Sequence, residues 1–368
     1  MKVFVCPDSF KGTFTSHQVS RLIVKELSKH PALECRASHL ADGGEGSLAL
    51  LKNLPEVTKR TLQVHDPLGR QIVGEYLIKG ETAFIELATA SGLTHLQPDQ
   101  LDPYRTSTLG TGELVMDALQ RGCKEIHLFL GGSATVDGGS GIVQALYPLR
   151  RQASPHVGMN PLMQAELISI DHLRDLLKSV KVHLVTDVSN RILGANGAVP
   201  VFGPQKGATE EQLIQLAVAM DRWVNYLQRS CEKPLTQIEG LGAAGGAGLP
   251  LYAFADGDVI NGFAYFNQLL GYESLIRWAD VVITGEGCID HQTTMGKGPG
   301  EIARMAQSAG KYVIGIGGIV KQLPKGFDKV FSTTDQSLSG RALKTGAERR
   351  LIKTIQDLKQ FLLGWSID

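Results

Sequence analysis

The chain has 368 residues, with 37 Lys and Arg against 37 Asp and Glu, so its formal net charge at neutral pH is zero. That balance argues against a nucleic-acid binder, which gains affinity by neutralising phosphates with excess cations. Hydrophobic residues make up 43% and charged residues 20%, ordinary for a globular chain, and no apolar run approaches the roughly 20 residues that cross a bilayer.

Short β-branched runs alternate with helical patterns from the start. Lys2–Cys6 reads as a buried strand and Ser16–Ser28 as a helix. Cys35–Leu40 is a second strand, with a helix beginning near Ser47. Between Arg60 and Leu93 apolar and polar residues alternate, with turns at Pro67–Gly69 and Gly80, the signature of antiparallel strands. A helix over Thr111–Arg121 follows, then strands at Glu125–Leu130 and Lys181–Thr186. The opening grammar returns with strands at Asp280–Thr284, Tyr312–Ile316 and Lys329–Thr333, and helices at Ile302–Ser308 and Ala342–Leu362. Strands spaced by helices predict βαβ units and a parallel sheet. The expected fold is α/β in two domains. Residues 1–60 and 260–368 form a discontinuous flavodoxin- or Rossmann-like domain, and 61–259 form an inserted mixed α/β domain.

The N-terminal MKVFVCPDSFKGT is too short in apolar residues for a signal peptide. Cys6, Cys35, Cys123, Cys231 and Cys288 form no CxxC pair. A reduced, soluble, cytoplasmic protein is expected, with no membrane partner. The ten histidines show no HExxH spacing, so no zinc site is expected. Trp223, Trp278 and Trp365 read as packing residues.

Forty-two glycines against 15 prolines is the unusual figure. The glycines cluster beside acids at the ends of apolar runs, where open parallel sheets bind ligands. Pro7–Thr13 offers Asp8, Ser9 and Lys11, and Ala41–Gly46 offers Asp42, Gly43, Gly44 and Glu45. Ser107–Glu113 leads into a helix, whose free N–H groups suit an anion. Leu130–Gly139, Asp187–Asn190 and Phe202–Gly207 follow, and then Gly285–Gly287 with Asp290 and Gln292–Gly298 with Lys297. Acids for magnesium, lysines for phosphate charge and glycine nests for oxyanions are the parts that phosphoryl transfer needs. A Walker loop is missing. Gly285-Glu286-Gly287-Cys288-Ile289-Asp290 lacks the third glycine of a dinucleotide loop, which disfavours a nicotinamide dehydrogenase. Gly240–Gly246 reads as a tightly packed helix start.

Together these segments resemble the type 1 glycerate kinases, in that family's order. They are PDSFKGT (7–13), ADGGEG (41–46), DPLGR (66–70), TSTLGTGEL (106–114), GGSATVDGGSG (131–141), DVSN (187–190), FGPQKGAT (202–209), GLGAAGGAG (240–248) and TGEGCID with QTTMGKGP (through Pro299). The resemblance runs from Lys2 to about Gly318. Val136, Thr186 and Cys288 stand where asparagine, cysteine and arginine are common in the family. The resemblance implies MgATP as donor, D-glycerate as acceptor and 2- or 3-phosphoglycerate as product. It also implies a flavodoxin-like domain and a second α/β domain with the active site in the cleft between them. A homodimer is left open.

On this reading Asp187 is the catalytic base, with Lys11 and Asp42 completing the catalytic set. Magnesium goes to Asp42 or Glu45, with Asp137 a further candidate. Lys11, Lys206 and Lys297 neutralise phosphate oxygens. Ser107, Thr108, Gly110 and Thr111, with Gly131, Gly132, Ser133 and Thr135, hold phosphate or the glycerate carboxylate. Asp8, Ser9, Gly43, Gly44, Asn190 and Glu286 complete the binding set. Glu286 and Asp290 are equally readable as caps of the following helix. The rival functions are a kinase for another short hydroxy acid and an inactive small-acid-binding homologue.

Overall fold

The computed structural model describes all residues except 11, 42, 45, 53, 148–157, 295–297, 335–344 and 365–368. The chain forms two compact units, Met1–Asp42 with Phe263–Asp368, and Gly43–Gly262. The first limb of unit 1 holds β1 (Lys2–Val5), α1 (Ser16–Leu27) and β2 (Glu34–Ala37). Unit 2 follows with α2 (Ser47–Leu51), β3 (Thr58–His65), β4 (Gln71–Lys79), β5 (Thr82–Glu86), α3 (Ala88–Ser91) and α4 (Leu109–Gln120). It continues with β6 (Glu125–Phe129), α5 (Ser140–Leu146), α6 (Asp171–Leu177), β7 (Lys181–Thr186), α7 (Ala198–Phe202), α8 (Glu210–Ser230), α9 (Leu249–Phe254) and β8 (Asp256–Asn261). Unit 1 resumes with α10 (Gly262–Leu270), α11 (Tyr272–Trp278), β9 (Val281–Thr284), β10 (Cys288–Ile289) and α12 (Gly298–Ser308). It closes with β11 (Tyr312–Gly317), β12 (Ile319–Val320), β13 (Lys329–Ser332) and α13 (Ala347–Gly364).

In unit 1 the sheet runs β13-β11-β9-β1-β2, with every pairing parallel. Within this unit's own order that is 2-1-3-4-5, the flavodoxin arrangement, whose switch point lies between β1 and β9. Val3, Val5, Val281, Ile283, Ile314 and Ile316 are fully buried in its core, as a parallel sheet covered on both faces requires. Helix α1 starts at Thr15, whose hydroxyl accepts from Gln18 N–H while the Gln18 side chain accepts from Thr15 N–H, a reciprocal cap that satisfies two orphan donors.

Unit 2 carries a sheet of order β3-β4-β5-β6-β7-β8. Its first two pairings are antiparallel and the remaining three parallel. Both sheets are therefore α/β with parallel strands. The unit begins at Gly43 rather than near 60, because α2 is tied to β5 through Glu86: the two carboxylate oxygens accept from Gly46 N–H (2.9 Å) and Leu48 N–H (3.1 Å).

The longest helix of this unit, α8, is absent from the sequence reading. Leu216, Met220, Trp223, Val224 and Leu227 are fully buried on one face, and burying each such side chain contributes about 1.5–3 kcal/mol. Trp223 has a second task, since its indole N–H donates to the Gly138 carbonyl at 2.8 Å. Trp278 lies under the Arg36 guanidinium, 4.2 Å from the ring centroid. Among the described residues no helix is long and apolar enough to cross a membrane.

Candidate active site

The carboxyl ends of the parallel strands in unit 2 gather most of the glycine-rich segments. Strand β6 runs into Leu130–Gly132, and Leu130 N–H donates to the Val185 carbonyl of β7 at 3.0 Å. Strand β7 runs into Asp187, whose position is exposed. Beside it lies Gly43: a Cβ there would sit 2.9 Å from Val185 Cγ1, and φ is +84°, so only glycine fits. The Gly44 carbonyl accepts from Ser47 Oγ at 2.7 Å. Asn190 donates through Nδ2 to the Asn196 carbonyl (2.8 Å), and its own carbonyl accepts from Gly242 N–H (2.8 Å). The glycine segment at 240–248 is packed against this loop and against Gly138, whose N–H donates to the Gly245 carbonyl at 3.0 Å. Gly131 is half-buried and Gly132 exposed. Together with Asp187, these form an accessible rim of polar backbone and one carboxylate.

Beneath the rim is a buried polar lock. The Asp137 side chain is 0% exposed. Its carboxylate accepts from Thr108 N–H and Thr108 Oγ1, both at 2.8 Å, from Gly139 N–H at 3.1 Å and from Gly141 N–H at 3.2 Å. Burial holds its carboxyl above the ordinary carboxylate range, while these four donors pull the other way. Lys206 is buried beside it, donating to Ser133 Oγ (2.6 Å) and the Thr135 carbonyl (2.7 Å). Burial pushes the Lys206 ammonium down to about 7, with the Asp137 charge opposing the shift.

This lock corrects several expectations. Asp137 is withdrawn from the magnesium candidates, because donors from its own chain already surround its oxygens. The start of α4 is not an open anion cradle: the anion that Thr108 N–H meets is Asp137. Ser107 Oγ accepts from Leu109 N–H (3.2 Å), and Thr111 Oγ1 pairs with Ser91 Oγ (2.7 Å). Gly110 is a packing glycine, for a Cβ there would lie 1.8 Å from the His65 carbonyl oxygen. Lys206, Ser133 and Thr135 likewise brace the 131–139 loop from inside. Lys11, Asp42, Glu45 and Lys297 lie outside the described residues.

In unit 1 the switch point brings Asp8, Ser9 and Glu286 to the ends of β1 and β9. Asp8 N–H donates to the Gly285 carbonyl at 2.8 Å, and Ser9 N–H to Asp8 Oδ1 at 2.6 Å. Thr284 Oγ1 donates to the Cys6 carbonyl at 2.7 Å, stitching the two strand ends together. Asp290 closes a turn through its N–H to Thr293 Oγ1 (3.1 Å), and its carboxylate meets Lys321 Nζ (3.3 Å).

The model of the glycerate kinase family matches residues 3–363. The chain belongs to the glycerate kinase family. It is 37% identical over 335 residues to a glycerate kinase of Halalkalibacterium halodurans, covering 89% of this chain and 87% of that protein. It is 35% identical over 359 residues to the glycerate 2-kinase of Escherichia coli K12, covering 92% and 94%. A crystal structure described as glycerate kinase 2 from Salmonella typhimurium LT2 matches with a TM-score of 0.80 at 36% identity, covering 99% and 98% of the two chains. Of the positions that differ from the family pattern, Val136 is fully buried in the core of unit 2. The Thr186 hydroxyl accepts from Val188 N–H at 3.3 Å, holding the turn that presents Asp187.

Glu86 is the residue at this glycerate-kinase strand end that sequence reasoning missed. It sits in TAFIELA, a strand pattern with no glycine beside it. An acid at the last position of a strand was the only available signal.

Proposed function

We propose that this protein is an ATP-dependent glycerate kinase that transfers the γ-phosphoryl group of MgATP to D-glycerate. The observation that carries the reading is the exposed Asp187 at the end of β7, set among Gly43, Gly131 and Gly132 in a chain of this family. Phosphoryl transfer leaves the protein mainly to position reactants and stabilise charge. A glycerate hydroxyl oxygen bonds to the γ-phosphorus, the bond from phosphorus to the β–γ bridging oxygen breaks, and ADP leaves. The hydroxyl proton passes to the Asp187 carboxylate, which has the exposure a base at that position needs.

The remaining roles follow from chemistry. Gly131 and Gly132 offer backbone N–H groups to oxyanions, and Lys11 and Lys297 offer charge to phosphate oxygens. Magnesium takes one or two carboxylates and keeps several waters. Asp42 and Glu45 are donors of that kind, whereas the buried Asp137 carboxylate already accepts four hydrogen bonds from its own chain. When bound, the ion would neutralise phosphate charge. Glu86 acts on the 43–46 segment by anchoring the N–H groups of Gly46 and Leu48.

A relative named glycerate 2-kinase at 35% identity favours the 2-hydroxyl as acceptor, and a cytoplasmic setting suits a chain whose five cysteines are free. The test is steady-state ADP release with MgATP across D-glycerate, L-glycerate and other short hydroxy acids. A kcat/KM highest for D-glycerate supports the reading, and a higher value for another hydroxy acid replaces the substrate.

A further inference from the structure

Away from the glycine loops, unit 2 carries a row of side chains that the phosphoryl-transfer reading does not use. Phe84, His127, His183 and Asp258 are register partners on β5, β6, β7 and β8, so they lie side by side across one face of the sheet. Glu125, two residues before His127 on β6, shares that face. Its Oε1 lies 3.0 Å from His183 Nε2 and 3.3 Å from His127 Nε2. The other nitrogen of His183, Nδ1, lies 2.7 Å from Asp258 Oδ1. The Phe84 ring stacks on His127 with centroids 5.0 Å apart and fixes its plane.

We infer that Glu125, His127 and His183 form a binding site for a divalent first-row metal ion of the zinc class, with Asp258 orienting His183. Zinc bonds its nitrogen and oxygen ligands at about 2.0–2.1 Å, which separates tetrahedral ligand atoms by roughly 3.4 Å. Two edges of the triangle, 3.0 and 3.3 Å, are already near that length. All three ligand atoms lie within 4.8 Å of one another, so a small rotation of one imidazole closes the third edge. Two histidines and a glutamate are a zinc ligand set that leaves the fourth position for water. A ligating histidine commonly gives its remote N–H to a carboxylate, which fixes the tautomer, and Asp258 stands where that partner belongs. The Glu125 side chain is 38% exposed, which gives the ion a way in.

The site lies toward the amino ends of β6 and β7. His127 is three residues from Leu130, about 10 Å along the strand, so the ion would not touch a phosphate held at the carboxyl end. Its effect is to staple β6 to β7, with β8 held through Asp258. Sequence spacing could not show it, because neighbouring strands supply the two histidines.

The test uses the full chain stripped with EDTA and returned to chelator-free buffer. Titration with zinc chloride by calorimetry is expected to show one tight site. Cobalt chloride is expected to give the visible absorption of a tetrahedral Co(II) centre. Zinc at about 100-fold above Kd should raise Tm by roughly 3–6 °C. His183→Gln and His127→Gln should abolish binding and the cobalt spectrum, with the metal-free melt retained. Asp258→Asn, at a side chain 60% exposed and therefore tolerant of substitution, should weaken zinc about 10–100-fold. Absence of zinc binding by the parent chain would overturn the inference, as would unchanged zinc affinity in Asp258→Asn or a cobalt spectrum that survives either histidine substitution.

Discussion

Thr108 meets Asp137 twice, through its backbone N–H and through Oγ1, each at 2.8 Å from the same carboxylate oxygen. This contact joins the segment that opens α4 to the loop that follows β6. The N-terminus of α4 is thereby neutralised from within the chain, since a carboxylate there satisfies orphan donors and the positive end of the helix dipole. The opening of α4 and the Ser133–Gly141 part of the loop after β6, which read as separate anion sites, are one buried joint, while Gly131 and Gly132 stay accessible.

If Asp137 is a joint, its loss costs stability. Asp137→Asn places an amide against N–H donors in a fully buried site, and the cost is on the order of 2–4 kcal/mol. Urea denaturation should show a lower midpoint with an unchanged slope. A metal-ligand role would instead appear as a raised magnesium requirement at unchanged stability.

Lys206 gives the molecule a pH signature. Its native value of about 7 lies below the roughly 10.4 of an unfolded lysine. Between those values the unfolded chain holds the extra proton, so this residue makes stability rise with pH from about 7 toward 10. The slope is at most about 1.4 kcal/mol per pH unit. Below pH 7 its penalty is complete and the slope vanishes. Lys206→Met should flatten that rise, and parallel stability–pH curves for the two proteins would contradict the assignment.

Asp187→Asn tests the base. The position is exposed, so folding should be unaffected within about 0.5 kcal/mol. Turnover should fall at least about 100-fold with ATP binding retained, the range for loss of a general base. Retained turnover in a folded protein would take Asp187 out of the mechanism.

Glu86→Gln tests the anchor of α2. The substitution removes charge-assisted acceptance from Gly46 and Leu48 N–H, worth about 1.5–3 kcal/mol. Because those N–H groups lie beside Asp42 and Glu45 in sequence, the expected kinetic effect is a raised magnesium requirement together with a lowered Tm. A lowered Tm with unchanged magnesium dependence would make Glu86 purely structural.

Local pattern made several parallel strands legible: KVHLVT is a strand over Lys181–Thr186 as read, and Tyr312–Gly317 extends its expected span by one residue; β8 (Asp256–Asn261), with three acidic or amide residues in six, carries no such pattern. Helix α8 is harder to read: its buried residues recur at helical spacing, but Ile214 and Val218 are exposed and blur the apolar stripe that marks an amphipathic helix. The start of unit 2 at Gly43 is not legible in sequence, because a short helix shows no allegiance until Glu86 binds it.

In the site, exposed and buried glycine loops look alike in sequence. The signals that separate them are tertiary: a carbonyl of His65 against Gly110, and a carboxylate of Asp137 against Thr108. The pairing of His127 with His183 depends on strand register, which no local spacing encodes.

The central claim is transfer of a phosphoryl group to glycerate, and phosphorus NMR of the reaction mixture tests it most directly. With MgATP and D-glycerate the account predicts a new phosphomonoester resonance on the 2-hydroxyl, growing in step with ADP. Inorganic phosphate in place of an organic phosphomonoester, or an unchanged ATP spectrum from folded protein, would contradict it.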